Sequence, residues 1–289
     1  MNKLFALLFS SLIVFSCSKK SDSDIDNPNK GEITISTDGS FQSVTEALTD
    51  RYVALNPNTK INVVVQKEDL GLLDLLDKKV RLIIMSRELS QQEKEAFDKK
   101  VGLDWEPAKF AADAVLFVVP KDSPLESISI QEISNELNSD KRRLIFDGTN
   151  SSNLNFVAQK FNKRPDQLKF SIINGNENVV EQLKNFPDKI GVISYNTISR
   201  PYGKDAERLR SELKILKITN NNKVYDVSLD NLKDMSYPFT RILYFLTNES
   251  YYGLANGLIR FSCTQLGQIV VEKEGLQPYN IYKREVQMR

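Results

Sequence analysis

Small polar side chains follow three predicted strands, each at the point where the strand ends and a helix begins. These turns are residues 36–40, the pair Ser86 and Arg87, and residues 147–152. In an open α/β sheet, ligands bind in the crevice beyond the strand ends. A helix N-terminus presents free N–H groups and a partial positive charge, and Arg87 can make a bidentate contact with an oxyanion. Together the three turns predict a cleft that suits a small anion.

Each turn taken singly also has a purely structural explanation. Ser, Thr, Asp and Asn are the preferred residues for capping a helix N-terminus, whatever the helix does. Arg87 has carboxylates nearby in the sequence, Glu88 and Glu93, with which it could form an ion pair instead of holding a ligand. The residues alone leave both alternatives open.

No pair of carboxylates is spaced to act as a general acid and base. Glu68 and Asp69 lie on a short predicted helix and are expected to be solvated. Asp113 interrupts the apolar stretch 110–119, where a carboxylate needs hydrogen-bond partners. Asp113 is therefore either bonded within a hinge or turned toward the cleft as a possible ligand contact.

The composition excludes several classes of function. The chain has no histidine, which excludes a Ser-His-Asp triad, a Cys-His pair and a histidine-ligated zinc. Neither of the glycine-rich nucleotide-binding motifs occurs. Without Lys3 of the predicted signal, 38 basic residues balance 38 acidic ones, which argues against a nucleic acid partner. We therefore predict that the chain is not an enzyme and that it uses no cofactor and no metal.

The N-terminus predicts export and lipidation. Lys3 precedes an apolar run of roughly a dozen residues, whereas a membrane span needs about 20, so residues 1–16 are predicted to be a signal peptide. The position of Cys17 resembles the lipobox of bacterial lipoproteins, in which this cysteine is acylated. Residues 17–30 are polar and predict a mobile tether. We expect an exported protein that is lipid-anchored to the cell envelope, in the periplasm or at the cell surface.

From Glu32 onward, short apolar runs alternate with amphipathic segments, which is the pattern of an α/β domain. About 260 residues follow the signal and tether, enough for two lobes of moderate size. The polar stretch 200–210 contains a proline and a glycine and is predicted to be an exposed excursion. A hairpin is predicted around residues 220–222.

The order of four motifs resembles the type II periplasmic binding proteins, and among them the phosphate-binding proteins of ABC importers. The motifs are Asp-Ala-Val at 113–115 leading to Ser-Pro-Leu at 123–125, Ile-Gly-Val-Ile-Ser-Tyr at 190–195, Tyr-Pro-Phe-Thr-Arg at 237–241 and Leu-Gly-Gln at 266–268. They occur in the family's order, and the resemblance spans the chain from Gly31 onward.

The resemblance implies a two-lobed α/β fold with a mixed sheet in each lobe and a ligand cleft between the lobes. Lobe one would contain residues 31–115 and 238–289, and lobe two residues 116–237. The implied function is capture of phosphate or a related small oxyanion by a monomer, for delivery to an ABC permease in the membrane. Carried over position by position, the ligand-binding residues would be Gly39, Ser40, Phe41, Ser86, Arg87, Asn150, Ser151 and Ser152.

Two departures from the family pattern bear on the ligand. Glu68 and Asp69 stand where the family has a Ser-Gly-rich loop, and acidic groups repel phosphate. Phe146 stands where many members have an arginine. The sequence at 146–152 resembles a divergent branch found in Bacteroidetes-type lipoproteins, whose motif implies no particular ligand. Two alternatives therefore remain: a binding or sensor lipoprotein for another small solute, and a structural surface lipoprotein without a ligand.

The predicted lipid anchor can be tested by replacing the acylated residue. We expect Cys17→Ser to release the protein from membranes or leave it unprocessed, because acyl chains on this cysteine would be its only hold on the bilayer. Detergent phase partitioning measures the change. A Cys17→Ser protein that partitions with detergent as strongly as the original would contradict lipidation.

Overall fold

The computed structural model describes residues 26–280, so the predicted signal peptide and Cys17 lie outside the described residues. The strands in this range are β1 (Lys30–Thr37), β2 (Asn58–Val65), β3 (Leu82–Met85), β4 (Ala108–Pro120), β5 (Ser127–Ser129), β6 (Leu144–Phe146), β7 (Ser171–Ile172), β8 (Ile190–Ser194), β9 (Leu213–Ile215), β10 (Lys217–Asn220), β11 (Lys223–Tyr225), β12 (Thr240–Thr247) and β13 (Gln277–Pro278).

Helices cover these strands. They are α1 (Gln42–Leu55), α2 (Glu68–Leu76), α3 (Gln91–Val101), α4 (Ile130–Glu136), α5 (Ser152–Lys160), α6 (Asn176–Leu183), α7 (Asn196–Ser199), α8 (Lys204–Glu212), α9 (Leu229–Lys233), α10 (Leu254–Cys263) and α11 (Gln265–Lys273). Short 3-10 turns at Gly39–Phe41 and Pro165–Gln167 precede α1 and β7.

The first lobe is built on the strand order β2-β1-β3-β12-β4, with β13 also paired to β4. β1 runs parallel to β2 and β3, whereas β12 lies antiparallel between β3 and β4. β3 has the sequence Leu-Ile-Ile-Met and is buried along its whole length, as expected for a strand covered on both faces. α1 packs Val44, Leu48 and Tyr52 onto one face of this sheet, which matches helical spacing.

The second lobe is built on β4-β8-β6-β7, with β9 also paired to β4. Here β8 is antiparallel to β4, whereas β6 is parallel to both β8 and β7. β5, β10 and β11 form a separate small sheet. The predicted hairpin at 220–222 is present, since β10 and β11 pair antiparallel on either side of Asn221 and Asn222.

A single long strand, β4, belongs to both lobes. Up to Ala114 it pairs with β12, and from Val115 onward it pairs with β8. The side chains of β4 from Phe110 to Val119 are all buried. The hydrophobic cores separate at the same place, with Phe110 and Ala111 packed in the first lobe and Phe117 and Val118 in the second.

Two local features differ from the sequence-based predictions. The stretch 200–210 was expected to be an exposed excursion, but most of it forms α8, which buries Ala206 and Leu209 one turn apart. The predicted tether, 17–30, docks at its end against the first lobe, because Asp26 accepts a hydrogen bond from Leu254 N at 2.8 Å and pairs with Arg81 at 3.2 Å.

The second lobe depends on aromatic packing beside β4. Phe117 is fully buried and meets Phe239 edge to face, with ring centroids 4.9 Å apart. We expect Phe117→Ala to lower the free energy of unfolding by about 3–5 kcal/mol, because it leaves a cavity in a closely packed core. Urea denaturation measures this change. Tyr202→Ala is the matched control, since Tyr202 is 98% exposed, and an equal loss in both variants would contradict this account of the core.

Candidate functional site

Three backbone N–H groups from different loops converge on the carboxylate of Asp38. Asp38 Oδ1 accepts from Ser40 N at 2.9 Å, and Oδ2 accepts from Glu68 N at 3.0 Å and from Ser152 N at 3.1 Å. Ser40 lies in the turn that opens α1, and Glu68 and Ser152 are the first residues of α2 and α5. The carboxylate therefore lies where three helices begin. We call these three N–H groups and the Asp38 carboxylate the triple-N–H site.

The local sequence explains why these N–H groups are available. Lys67 precedes α2 in an extended conformation and gives it no side-chain cap. Ser151 caps α5 at Leu154 N, which leaves Ser152 N unused within the helix. The first N–H groups of a helix have no partner inside that helix, so they must bond to something else. In both helices Asp38 supplies the acceptor.

The Asp38 carboxylate is held by backbone dipoles rather than by a cation. Asp38 is buried, with only 1% of its surface exposed. Across residues 26–280, no lysine or arginine nitrogen lies within 4.0 Å of it. N–H groups at helix starts carry partial positive charge and stabilise a negative group without a counterion. The triple-N–H site thus has the donors and the electrostatics of an oxyanion site.

Glu68 and Arg87 form a buried charge cluster beside this site. Glu68 Oε1 accepts from Ser86 N at 2.8 Å and from Ser86 Oγ at 3.0 Å, while Oε2 lies 3.3 Å from Arg87 Nε. Glu68 is 2% exposed, so the prediction that it is solvated was wrong. Its burial is possible because Ser86 and Arg87 supply the donors that water would otherwise give. Burial raises the pKa of Glu68, and the charge of Arg87 opposes that shift.

Arg87 is saturated by carboxylates. Its guanidinium pairs with Asp69 at 2.8 Å and makes two bonds with Glu93, at 2.8 and 2.9 Å. Burial acts to lower the pKa of Arg87, but the bond to Glu93 and the charge of Glu68 raise it above its ordinary value. Ion pairing with Glu93 is the structural alternative that the sequence left open. Contact between Arg87 and an anion remains a prediction.

The hinge carries a second buried ion pair. Asp113 on β4 and Arg241 on β12 are both shielded from solvent, with Arg241 Nη2 2.8 Å from Asp113 Oδ2. Asp113 also accepts from Ser194 Oγ at 2.9 Å and Asn196 N at 3.0 Å, so its carboxylate is bonded within the hinge. Arg241 Nη2 donates to Asn153 Oδ1 at 2.9 Å, which connects the hinge to α5.

A network of buried polar side chains on the second lobe lies next to the triple-N–H site. Asp147 is fully buried and accepts from Asn153 Nδ2 at 3.1 Å, and Lys67 Nζ reaches it across the lobes at 3.3 Å. Asn176 Nδ2 donates to Ser40 Oγ at 3.1 Å, again across the lobes. Burial raises the pKa of Asp147, and repulsion from Asp38 adds to that shift.

A cleft of about 930 Å³ opens beside the triple-N–H site. Gly39, Ser40 and Lys67 line it from the first lobe, and Asn176 and Asn196 from the second. Its walls are mostly polar, which suits a charged or hydrogen-bonding solute. Of the triple-N–H site, Ser40 reaches this cleft, whereas Asp38, Glu68 and Ser152 are buried behind its lining.

The remaining predicted site residues lie close to the triple-N–H site but differ in what they offer. Phe41 is buried beneath the Arg241 guanidinium, 4.7 Å from its ring centroid. Asn150 is exposed, and its carbonyl accepts from Asp69 N. The Ser151 hydroxyl is used by the loop, since it donates to Gly148 O at 3.1 Å. Ser152 differs from these, because its Oγ is buried without a hydrogen-bond partner.

Several residues of this region were missed by sequence reasoning. Arg241 was noted only as part of a family motif, although it is central to the hinge. The buried acids and amides that surround the site were not singled out: Asp38, Asp147, Asn153, Asn155, Asn176. Asp38 and Asp147 lie within the predicted turns 36–40 and 147–152, and each follows the buried end of a strand, so their position offered a signal. The amides gave none, because surface Asn is common in helices and loops.

The arrangement favours binding over catalysis. Among residues 26–280, no group of three or more His, Cys, Asp or Glu side chains is placed to hold a metal ion. Apart from Ser152 Oγ, the buried polar groups described above are paired with one another. A rigid set of N–H donors of this kind recognises a charge without transforming it.

Comparison with known proteins assigns the family. Residues 22–265 match the PBP superfamily domain, and the chain belongs to this superfamily of periplasmic binding proteins. The phosphate-binding protein PstS of Borreliella burgdorferi is 22% identical over 298 residues, which cover 95% of this chain and 98% of that protein.

Solved structures agree in fold. A protein from Clostridium perfringens, described as a phosphate ABC transporter substrate-binding protein and solved with bound phosphate, superposes with a TM-score of 0.69 at 18% identity, covering 86% of this chain and 99% of that one. An ABC-type phosphate transport receptor from Vibrio cholerae gives a TM-score of 0.64 at 15% identity, covering 85% and 99%.

These similarities confirm the predicted family resemblance and the two-lobed type II fold. They also confirm that the chain is a binding protein and not an enzyme. No helix within residues 26–280 combines the length and hydrophobicity needed to cross a membrane.

The hinge pair can be tested by a double-mutant cycle. We expect Arg241→Met to cost about 3–5 kcal/mol of unfolding free energy, because it leaves Asp113 charged and buried without its counterion. Adding Asp113→Ala should recover part of that loss, so the double variant should cost less than the sum of the two single changes. Urea denaturation measures all three.

The exposed pair Arg164 and Asp166, with side chains 75% and 66% exposed, is the control and should show negligible coupling. Strict additivity of Asp113→Ala and Arg241→Met would contradict a role for their ion pair.

Proposed function

We propose that this protein is a solute-binding protein that captures a small oxyanion, with phosphate favoured, between its two lobes. The observation that carries the proposal is the convergence of Ser40 N, Glu68 N and Ser152 N on one carboxylate. A carboxylate is itself an oxyanion, and phosphate offers the same kind of acceptor with more oxygens. N–H donors that bind a carboxylate are therefore also suited to bind a phosphate.

The buried hydroxyl of Ser152 supports the same proposal. Its Oγ has no hydrogen-bond partner, although the residue is fully buried and its own N–H is one of the three convergent donors. A buried polar atom without a partner is costly and calls for an explanation. A phosphate oxygen at this place would accept a bond from it.

The relatives favour phosphate among oxyanions. The B. burgdorferi relative is named as a phosphate-binding protein, and the C. perfringens structure contains phosphate. The acidic cluster around Glu68 does not remove this support, since Glu68 and Asp69 both pair directly with Arg87. Sulfate, which shares the shape but differs in protonation, is the natural competitor to compare.

Delivery to a membrane permease completes the proposal. We infer that lobe one, 31–115 with 238–289, and lobe two, 116–237, rotate about β4 and β12 to open the cleft. The protein would act as an exported monomer, lipid-anchored through Cys17, and pass its ligand to an ABC permease. At the cleft, polar bonds join the lobes, since Lys67 Nζ donates to Asp147 O and Asn176 Nδ2 donates to Ser40 Oγ.

The Ser152 hydroxyl gives a direct test of anion binding. We expect the original protein to bind inorganic phosphate in titration calorimetry, and Ser152→Ala to bind it about tenfold to a hundredfold more weakly, because a hydrogen bond to a charged group is lost. Stability without phosphate should not fall, since Ser152 Oγ has no partner to lose.

Ser262→Ala is the matched control, because Ser262 is also a fully buried serine but its hydroxyl donates to Leu258 O within α10. It should leave phosphate affinity unchanged. If the original protein binds no phosphate, or if Ser152→Ala binds it as tightly as the original, phosphate is not held at this site. Sulfate, molybdate, sugars and amino acids, titrated in parallel, define the solute in that case.

A further inference from the structure

We propose that the Asp38 side chain is an internal ligand, which holds the two lobes together and competes with the external oxyanion for the same N–H donors. That Asp38 links the lobes rests on geometry alone, whereas its competition with an oxyanion rests on the proposed function. It assigns Asp38 a role in setting affinity, not in contacting the solute.

The bonds of Asp38 join both lobes. Ser40 and Glu68 belong to the first lobe, whereas Ser152 opens α5 on the second. A carboxylate that bonds to both lobes acts as a bound solute does in a two-lobed binding protein, because its contacts on both sides stabilise the closed state. Asp38 therefore favours the closed arrangement.

The donors cannot serve two anions at once. Each N–H group carries a single hydrogen, and all three are engaged with Asp38 at 2.9 to 3.1 Å. Asp147 and Glu68 lie close enough to Asp38 for its charge to raise the pKa of both carboxyl groups, after the larger effect of burial. A phosphate added beside the Asp38 carboxylate would meet this repulsion and gain only the Ser152 hydroxyl, not the three N–H donors. It must displace the carboxylate instead.

The residue after Asp38 reaches the cleft, whereas the Asp38 side chain itself is buried. Gly39 follows Asp38 and lines the cleft, and a Cβ placed there would have only Val65 Cγ1 within 4 Å, at 3.9 Å. The backbone beside Asp38 thus borders open space on the cleft side. No ion pair within residues 26–280 has to break when the Asp38 side chain leaves.

Competition of this kind lowers the apparent affinity. When only a fraction of molecules is competent to bind, the apparent dissociation constant is the intrinsic constant divided by that fraction. If Asp38 is withdrawn in about 1–10% of molecules, removing its carboxylate tightens binding about tenfold to a hundredfold. Most losses of a buried side chain at a binding site weaken binding, so the opposite direction is diagnostic.

The test uses Asp38→Ala, which removes the carboxylate, and Asp38→Asn, which keeps one acceptor oxygen for Ser40 N but loses the charge. Asp166→Ala controls for the loss of one negative charge, since Asp166 is exposed in the second lobe. Circular dichroism first checks folding, and Asp38→Asn carries the test if Asp38→Ala does not fold. Inorganic phosphate is titrated into each protein by calorimetry after exhaustive dialysis.

We expect Asp38→Ala to bind phosphate at least tenfold more tightly than the original, Asp38→Asn to be tighter than the original, and Asp166→Ala to be unchanged. In phosphate-free buffer, small-angle scattering should give Asp38→Ala a larger radius of gyration than the original, because the bond between Asp38 and Ser152 N is lost. Phosphate should reverse that expansion.

The outcomes separate the two proposals. If the original protein binds phosphate as tightly as Asp38→Ala or more tightly, the internal-ligand role is overturned and phosphate binding stands. If neither protein binds phosphate, the proposed function is overturned. Scattering then tests whether Asp38 links the two lobes. A larger radius of gyration for phosphate-free Asp38→Ala supports that link, and an unchanged radius overturns it.

Discussion

The buried ion pair between Asp113 and Arg241 is the constraint on which the rest of the molecule depends. The two residues sit on β4 and β12, the strands that lie side by side at the passage between lobes. Burying two charges is costly, so the pair persists only because Ser194, Asn196 and Asn153 supply further bonds. Those partners fix β8, α7 and α5 relative to the hinge. The second lobe's part of the site is positioned by this network.

The first lobe's part of the site follows a different physical rule. There Glu68, Asp69 and Glu93 share the single charge of Arg87, and the donors that face the Asp38 carboxylate are backbone N–H groups. Recognition by backbone dipoles does not depend on a long flexible side chain, so the donors are fixed by the fold itself. An acidic loop can therefore lie beside an oxyanion site, provided that its acids are bonded, as Glu68 and Asp69 are to Arg87.

The sequence predicted the fold well and the site only in part. Apolar runs and capping signals marked most elements; for example, Ser90 and Glu93 have the spacing of a capping box and form one at the start of α3. The helix at 204–212 was missed because Pro201 and Gly203 suggested a loop, while the spacing of Ala206 and Leu209 was too short a signal. At the site, the converging loops were foreseen. The atoms that fill the space between these loops could not be foreseen, because their positions depend on contacts between residues far apart in the chain.

The position of β12 has a consequence for how the chain acquires its structure. β12 lies between β3 and β4, yet it comes more than a hundred residues after them in the sequence. The second lobe is continuous and can pack as soon as its own residues are available, whereas the first sheet stays incomplete until β12 and then β13 arrive. Distant strand pairing is slow to form and leaves edges open in the meantime. The half-built first sheet is thus the stage at which a nascent or translocating chain is most exposed to misassembly and most in need of chaperone protection.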